Sequence, residues 1–149
     1  MGRSIGIYPM GRAVNGARAD YAGNVNTRGV AILNVGSQGA RNFNIQLWDY
    51  YVPSLFNVLL PKVEWTHKQG ETAFGLSLQY FHERSLLRDT VAVERQYISR
   101  DEQSHAVSAR LSVGRPAEHC DWSLNFTRVT AHGRFLFPRE WGIESFIRS

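Results

Sequence analysis

From residue 29 to residue 130 the apolar side chains recur at every second position, the period of a β-strand whose two faces meet different surroundings. Over residues 72–82, Phe74, Leu76, Leu78 and Tyr80 fall on one face, while Ala73, Gly75, Ser77 and Gln79 fall on the other. Residues 104–114 repeat the pattern, with Val107, Ala109, Leu111 and Val113 against Ala106, Ser108, Arg110 and Ser112. Residues 121–130 set Trp122, Leu124 and Phe126 against Ser123, Asn125 and Thr127, and residues 42–51 set Phe43, Ile45 and Leu47 against Asn44 and Gln46. Two less regular strands are predicted over 29–36 and 57–67. In the second, Leu59, Val63 and Trp65 oppose Leu60, Lys62, Glu64 and Thr66, and Pro61, which has no N–H for a ladder, predicts a bulge or a locally open pairing. Residues 1–28, rich in Gly, Ala, Asn and Arg, show no period and are expected to be irregular, which leaves 29–149 as the β domain.

The connections alternate in length. Residues 37–41, 68–71 and 115–120 are short and turn-like, 51–56 is intermediate, and 83–103 and 131–149 are long and arginine-rich. Short turns on one rim and long loops on the other, joining dyad-periodic strands of about ten residues, are the layout of a transmembrane β-barrel. Such a barrel carries aromatic girdles at both water interfaces. Phe43, Trp65, Phe74 and Trp122 lie near the short-turn rim, and Trp48, Tyr50, Tyr51, Phe56, Tyr80 and Phe81 near the long-loop rim. The competing expectation is a soluble β-sandwich or barrel that binds a ligand and whose core face is the apolar one. Six strands are too few for a closed barrel in lipid, where an open edge leaves backbone groups unsatisfied at several kcal/mol each. The chain is therefore expected to be an internal piece of a larger barrel or to close with other copies of itself.

Composition narrows the classes. Of 149 residues, 43% are hydrophobic, 12% aromatic and 20% charged, which excludes a disordered polar tail. No apolar stretch approaches the ~18 residues of a membrane-spanning helix, and residues 1–16 lack the apolar run of a signal peptide. Cys120 is the single cysteine, so neither an intrachain disulfide nor a CxxC metal pair is available. The net charge is +4, and among 17 basic residues only Lys62 and Lys68 are lysine. Arginine's planar fork suits carboxylate and phosphate, so the bias suggests anion handling; a codon bias toward arginine explains it equally well. The five histidines, at 67, 82, 105, 119 and 132, are dispersed along the chain. No HExxH, GxSxG or phosphate-loop pattern occurs, so no enzyme, metal or cofactor is expected; the alternative of an outer-membrane barrel enzyme needs a Ser, His and acid set near one rim, toward which the sequence offers Ser104 next to His105. The arginines lie in loops and on strands without an RNA-binding motif, which argues against nucleic acid.

Two runs are more distinctive than the period. IQLWDYYVPSLFNVLL over residues 45–60 and TRVTAHGRFLFPREWG over 127–142 resemble characteristic segments of the OprD family of outer-membrane porins. The resemblance covers roughly residues 26–142 in the right order and implies the middle of a barrel of about eighteen strands. The family's beginning and end, a signal peptide and a final strand closing on an aromatic residue, are absent from this segment. The resemblance further implies a bacterial outer-membrane location, contact with outer-membrane lipid and lipopolysaccharide, and passive, cofactor-free passage of small solutes. Those solutes would be carboxylate-bearing nutrients or basic amino acids, passing a constriction made by infolded loops and guided by a ladder of inward arginines.

Candidate side chains follow from position. Arg110 lies on the small, polar face of its strand and is the leading pore-lining candidate; the alternative is a structural ion pair with a carboxylate such as Glu64. Arg128 continues the apolar face of Trp122 to Phe126 by parity, so it either snorkels at the interface or is turned inward by a bulge. Lys62 and Glu64 are expected in the same polar wall. Asp49, Tyr50 and Tyr51 stand where a strand leaves the membrane, and their side chains either line a solute path or anchor the interface. Arg84, Arg88, Arg95 and Arg100 in one long loop, with Arg134 and Arg139 in the last, form a candidate anion-attracting vestibule or neutralise lipopolysaccharide.

Overall fold

A computed structural model describes residues 27–39, 42–88, 92, 96, 98–130, 132 and 133. Six strands form one antiparallel sheet in which every strand pairs with its neighbours in sequence. They are β1 (Ala31–Gln38), β2 (Phe43–Val52), β3 (Phe56–Gln69), β4 (Thr72–Ser85), β5 (Gln103–Arg115) and β6 (Cys120–Val129). The sheet is an open meander, with β1 and β6 at its edges. Each of the six predicted strands is present, displaced by a few residues at its ends.

The turns set the register. β3 and β4 are joined through Gly70 and Glu71, and Gln69 pairs with Thr72 across them. Gly70 has φ +60°, the left-handed region that the first position of a tight hairpin turn requires and that a glycine adopts without a Cβ penalty. Asn42 and His119 supply positive φ at the β1–β2 and β5–β6 turns on the same rim. A short 3-10 turn, Pro116–Glu118, completes the last of these. At the opposite rim, Pro53, Ser54 and Leu55 join β2 to β3, and residues 86–102 join β4 to β5.

Pro61 has its expected effect on pairing. β3 pairs with β4 from Phe56 to Leu59 and again from Lys62 to Gln69, with no partners at Leu60 and Pro61. Leu59 pairs with His82 and Lys62 with Gln79, so the register is the same on both sides of the gap. The missing N–H opens the ladder locally without inserting a residue, and there is no bulge.

Strand pairing places two unlike faces back to back. One carries Leu33, Val35, Phe43, Ile45, Leu47, Phe74, Leu78, Val107, Leu111, Val113, Trp122, Leu124 and Phe126, all exposed. On β6 the exposure is extreme, 73% at Trp122 and 70% at Leu124. The other face is divided. Toward the short turns it is small and polar; toward the 86–102 connection it is buried and mainly apolar, with Glu83 and Ser104 also buried there. The core sits there: Tyr50, Val52, Phe56, Val58, Leu60, Phe81 and Ala106 pack with Leu55 from the β2–β3 turn and Ile98 from the long connection, and Val30 and Trp48 pack against them. Burying such a Phe or Leu side chain contributes about 1.5–3 kcal/mol. Backbone bonds tie the connection down at both ends, from Ser85 N to Glu102 O (2.8 Å) and from Leu86 N to Leu55 O (2.8 Å). Ile98 of the connection thus packs on the polar-face side of the sheet, and among the described residues nothing covers the apolar face.

Candidate functional site

The polar half of that divided face is built from alternate residues of five strands. Asn44 and Gln46 come from β2, Lys62 and Glu64 from β3, Gly75, Ser77 and Gln79 from β4, Ser108, Arg110 and Ser112 from β5, and Ser123, Asn125 and Thr127 from β6. The registers place Glu64 opposite Ser77, Ser77 opposite Arg110, and Arg110 opposite Asn125. Small side chains surround Arg110. A Cβ on Gly75 would press onto the Ser112 hydroxyl, so at that position the neighbouring strand closes in to side-chain contact. The guanidinium of Arg110 stands exposed over this shallow floor and lines a cleft shared with Asn44, Glu64, Ser77 and Ser112.

Within the wall the charges are arranged unequally. Lys62 Nζ lies 2.8 Å from Glu64 Oε1, two residues along the same strand, and Asn44 Nδ2 donates to Glu64 Oε2 across the sheet at 3.1 Å. Glu64 is therefore held by Lys62 and Asn44, and among the described residues no ion pair within 4 Å joins it to Arg110. The planar fork of the Arg110 cation has the geometry to make two parallel hydrogen bonds to a carboxylate. Ser108 and Thr127 hydroxyls, 3.0 Å apart, bond to each other across β5 and β6.

The structure separates the remaining candidates. Tyr50 shares the polar-wall face but is buried in its apolar half, 5% exposed, where it stacks on Trp48 with ring centroids 6.1 Å apart. Asp49 and Arg128 stand on the opposite, apolar face, away from Arg110. Asp49 accepts a hydrogen bond from the Asn57 amide of β3, which also donates to Tyr50 O. Arg128 pairs with Val107 in an unbroken β5–β6 register, so no bulge turns it inward. Of the loop arginines, Arg88 and Arg100 line one cleft at the long-connection rim together with Tyr51, Ser54, Ser85 and Asp101. Arg84 lies on β4, exposed and opposite Asn57. Arg95, Arg134 and Arg139 lie outside the described residues.

One grouping was not foreseen. His82 and His105, dispersed in sequence, are directly opposed across β4 and β5 on the apolar face. Their Nδ1 atoms are 3.1 Å apart, and the Tyr80 hydroxyl lies 2.6 Å from His105 Nδ1. The signal that would have revealed this is the β4–β5 register, and a long connection does not fix register as a tight turn does. No helix among the described residues is long and apolar enough to cross a membrane. No family model, curated protein or solved structure matches the chain.

Proposed function

We propose that this chain forms part of the wall of an outer-membrane β-barrel channel of the OprD kind, in which small solutes pass passively, without cofactor or catalysis. The observation that carries the reading is the two-faced meander: one face of exposed apolar side chains, backed by a face of small polar residues around Arg110. Lipid is the surrounding that makes a wide apolar face favourable, and water makes the other so. Aromatic residues at both ends of the apolar face, Phe43, Trp65 and Trp122 at one and Tyr51 and Tyr80 at the other, fit the girdles of such a wall. Among the described residues β1 and β6 each pair on one side only, and in lipid such edges call for further strands of the same barrel or of other copies. Arg110 gives carboxylate-bearing solutes, and the carboxylates of basic amino acids, a charge-assisted contact. The arginines at the long-connection rim, Arg88 and Arg100 in one cleft, form an anion-attracting vestibule or meet lipopolysaccharide.

The test is physical partitioning followed by conductance. The full chain is expected to require detergent or bilayer for folding and to give stepwise single-channel currents in planar bilayers. A folded, monomeric state in plain buffer would instead favour a soluble ligand-binding module, and hydrolysis of an ester reporter an outer-membrane enzyme. Where currents are obtained, Arg110→Glu is expected to shift ion preference toward cations several-fold, because one fixed charge of the wall changes sign. Unchanged reversal potentials in a salt gradient would remove Arg110 from the pathway.

A further inference from the structure

The Tyr80, His82 and His105 cluster lies outside the polar wall and takes no part in the proposed passage. It rests on the β4–β5 register alone, whatever covers the apolar face. His82 and His105 are directly opposed, so the backbone holds both rings in place before any ligand arrives. The rings stack, with centroids 4.8 Å apart and planes 27° apart, and Tyr80 also stacks on His105 with centroids 5.9 Å apart. His105 Nδ1 carries one proton or one lone pair but has two polar neighbours, the Tyr80 hydroxyl at 2.6 Å and His82 Nδ1 at 3.1 Å. Two imidazole nitrogens bound to one divalent ion at the usual distances stand about 2.9–3.4 Å apart for bond angles between square and tetrahedral. The observed separation falls inside that interval.

We propose that His82 and His105 form a cross-strand chelate for a borderline divalent transition cation, such as Cu2+, Ni2+ or Zn2+, with the Tyr80 hydroxyl beside the ion as a third polar group. Ring nitrogens select these ions over Mg2+ and Ca2+, which take oxygen donors. The stacked rings must turn for both lone pairs to meet at one ion, and both histidines are partly exposed at the long-connection rim, where the apolar face meets water. Arg84, two positions along β4 on the same face, opposes a second positive charge, so the affinity is expected to rise in Arg84→Gln.

The experiment is a Cu2+ titration of the tag-free full chain, in detergent micelles or, if it proves soluble, in plain buffer. It is followed by calorimetry and by the nitrogen hyperfine pattern in electron paramagnetic resonance. Saturable one-to-one binding with two equivalent ring nitrogens is expected. His82→Ala and His105→Ala are each expected to weaken it by about tenfold or more, and the same concentration of Mg2+ should produce no heat. His82→Gln and His105→Gln, checked by circular dichroism, repeat the test with side chains of similar volume. Absence of saturable binding, a pattern from a single nitrogen, or binding that survives either histidine substitution overturns the chelate. Because the titration is done in either solvent, its failure does not bear on the channel reading, and the loss of the channel reading does not bear on the chelate.

Discussion

Leu78→Arg is expected to destabilise the folded chain by about 2–4 kcal/mol in phospholipid vesicles, the cost of a charge near the middle of a lipid-facing strand. Leu78 lies midway along β4, is 48% exposed, and has Val63 and Ala109 as its cross-strand partners on the apolar face. Its neighbour Ser77 points to the other face, opposite Glu64 and Arg110. Ser77→Arg is accordingly expected to cost far less, although it brings a second guanidinium beside Arg110. Urea unfolding of both variants in vesicles, followed by tryptophan fluorescence, measures the contrast. In water an exposed Leu to Arg change is worth within about 0.5 kcal/mol. Equal stabilities for the two variants would therefore remove lipid from the apolar face.

The second large effect belongs to the buried half of the opposite face. Phe81→Ala is expected to cost about 3–5 kcal/mol, the loss of a large buried ring plus the cavity it leaves. Phe81 is 1% exposed, lies opposite Ala106, and belongs to the cluster that contains Leu60 and Ile98. Ile98 is carried by the 86–102 connection, so the same substitution is expected to loosen that connection and speed its cleavage by an added protease. Phe126→Ala, on the exposed face of β6, removes a ring of equal size but should leave cleavage in 86–102 unchanged. The reverse order of protease sensitivity would show that the connection is held by its end hydrogen bonds rather than by the cluster.

The strands were legible because alternation is a local property. A face that repeats every two residues over Phe74, Leu76, Leu78 and Tyr80 leaves no other regular solution. Where tight turns join the strands, register was close to legible as well: Gly70 and Glu71 leave little choice for Gln69 and Thr72. The departures arise at the long connection. β4 runs on through Glu83 to Ser85, and β5 begins at Gln103, residues that the period alone assigns to a loop. Glu83 is buried in this extension, as are Phe81 and Ser104 beside it, and Phe81 packs in one cluster with Ile98 of the connection, so burial here does not follow one wet face. The same non-local packing turns Phe56, Val58 and Leu60 inward on the face whose other half is polar. The Lys62–Glu64 bond within one strand follows from their shared parity. The His82–His105 contact does not, because it depends on how residues 86–102 return.

The division of a single sheet face into a packed half and a wet half has a consequence for how such a chain can vary. Side chains around Arg110, among them Ser77, Ser112 and Asn125, have little packing to lose when they change. Those around Phe56 and Phe81 do. Variation in the wet half can change the charge and hydrogen bonding of the polar surface while the fold stays anchored at the other end. Variation in the packed half is filtered for stability first. A single strand such as β4, with Ser77 toward one rim and Phe81 toward the other, therefore carries positions under two different physical constraints only four residues apart.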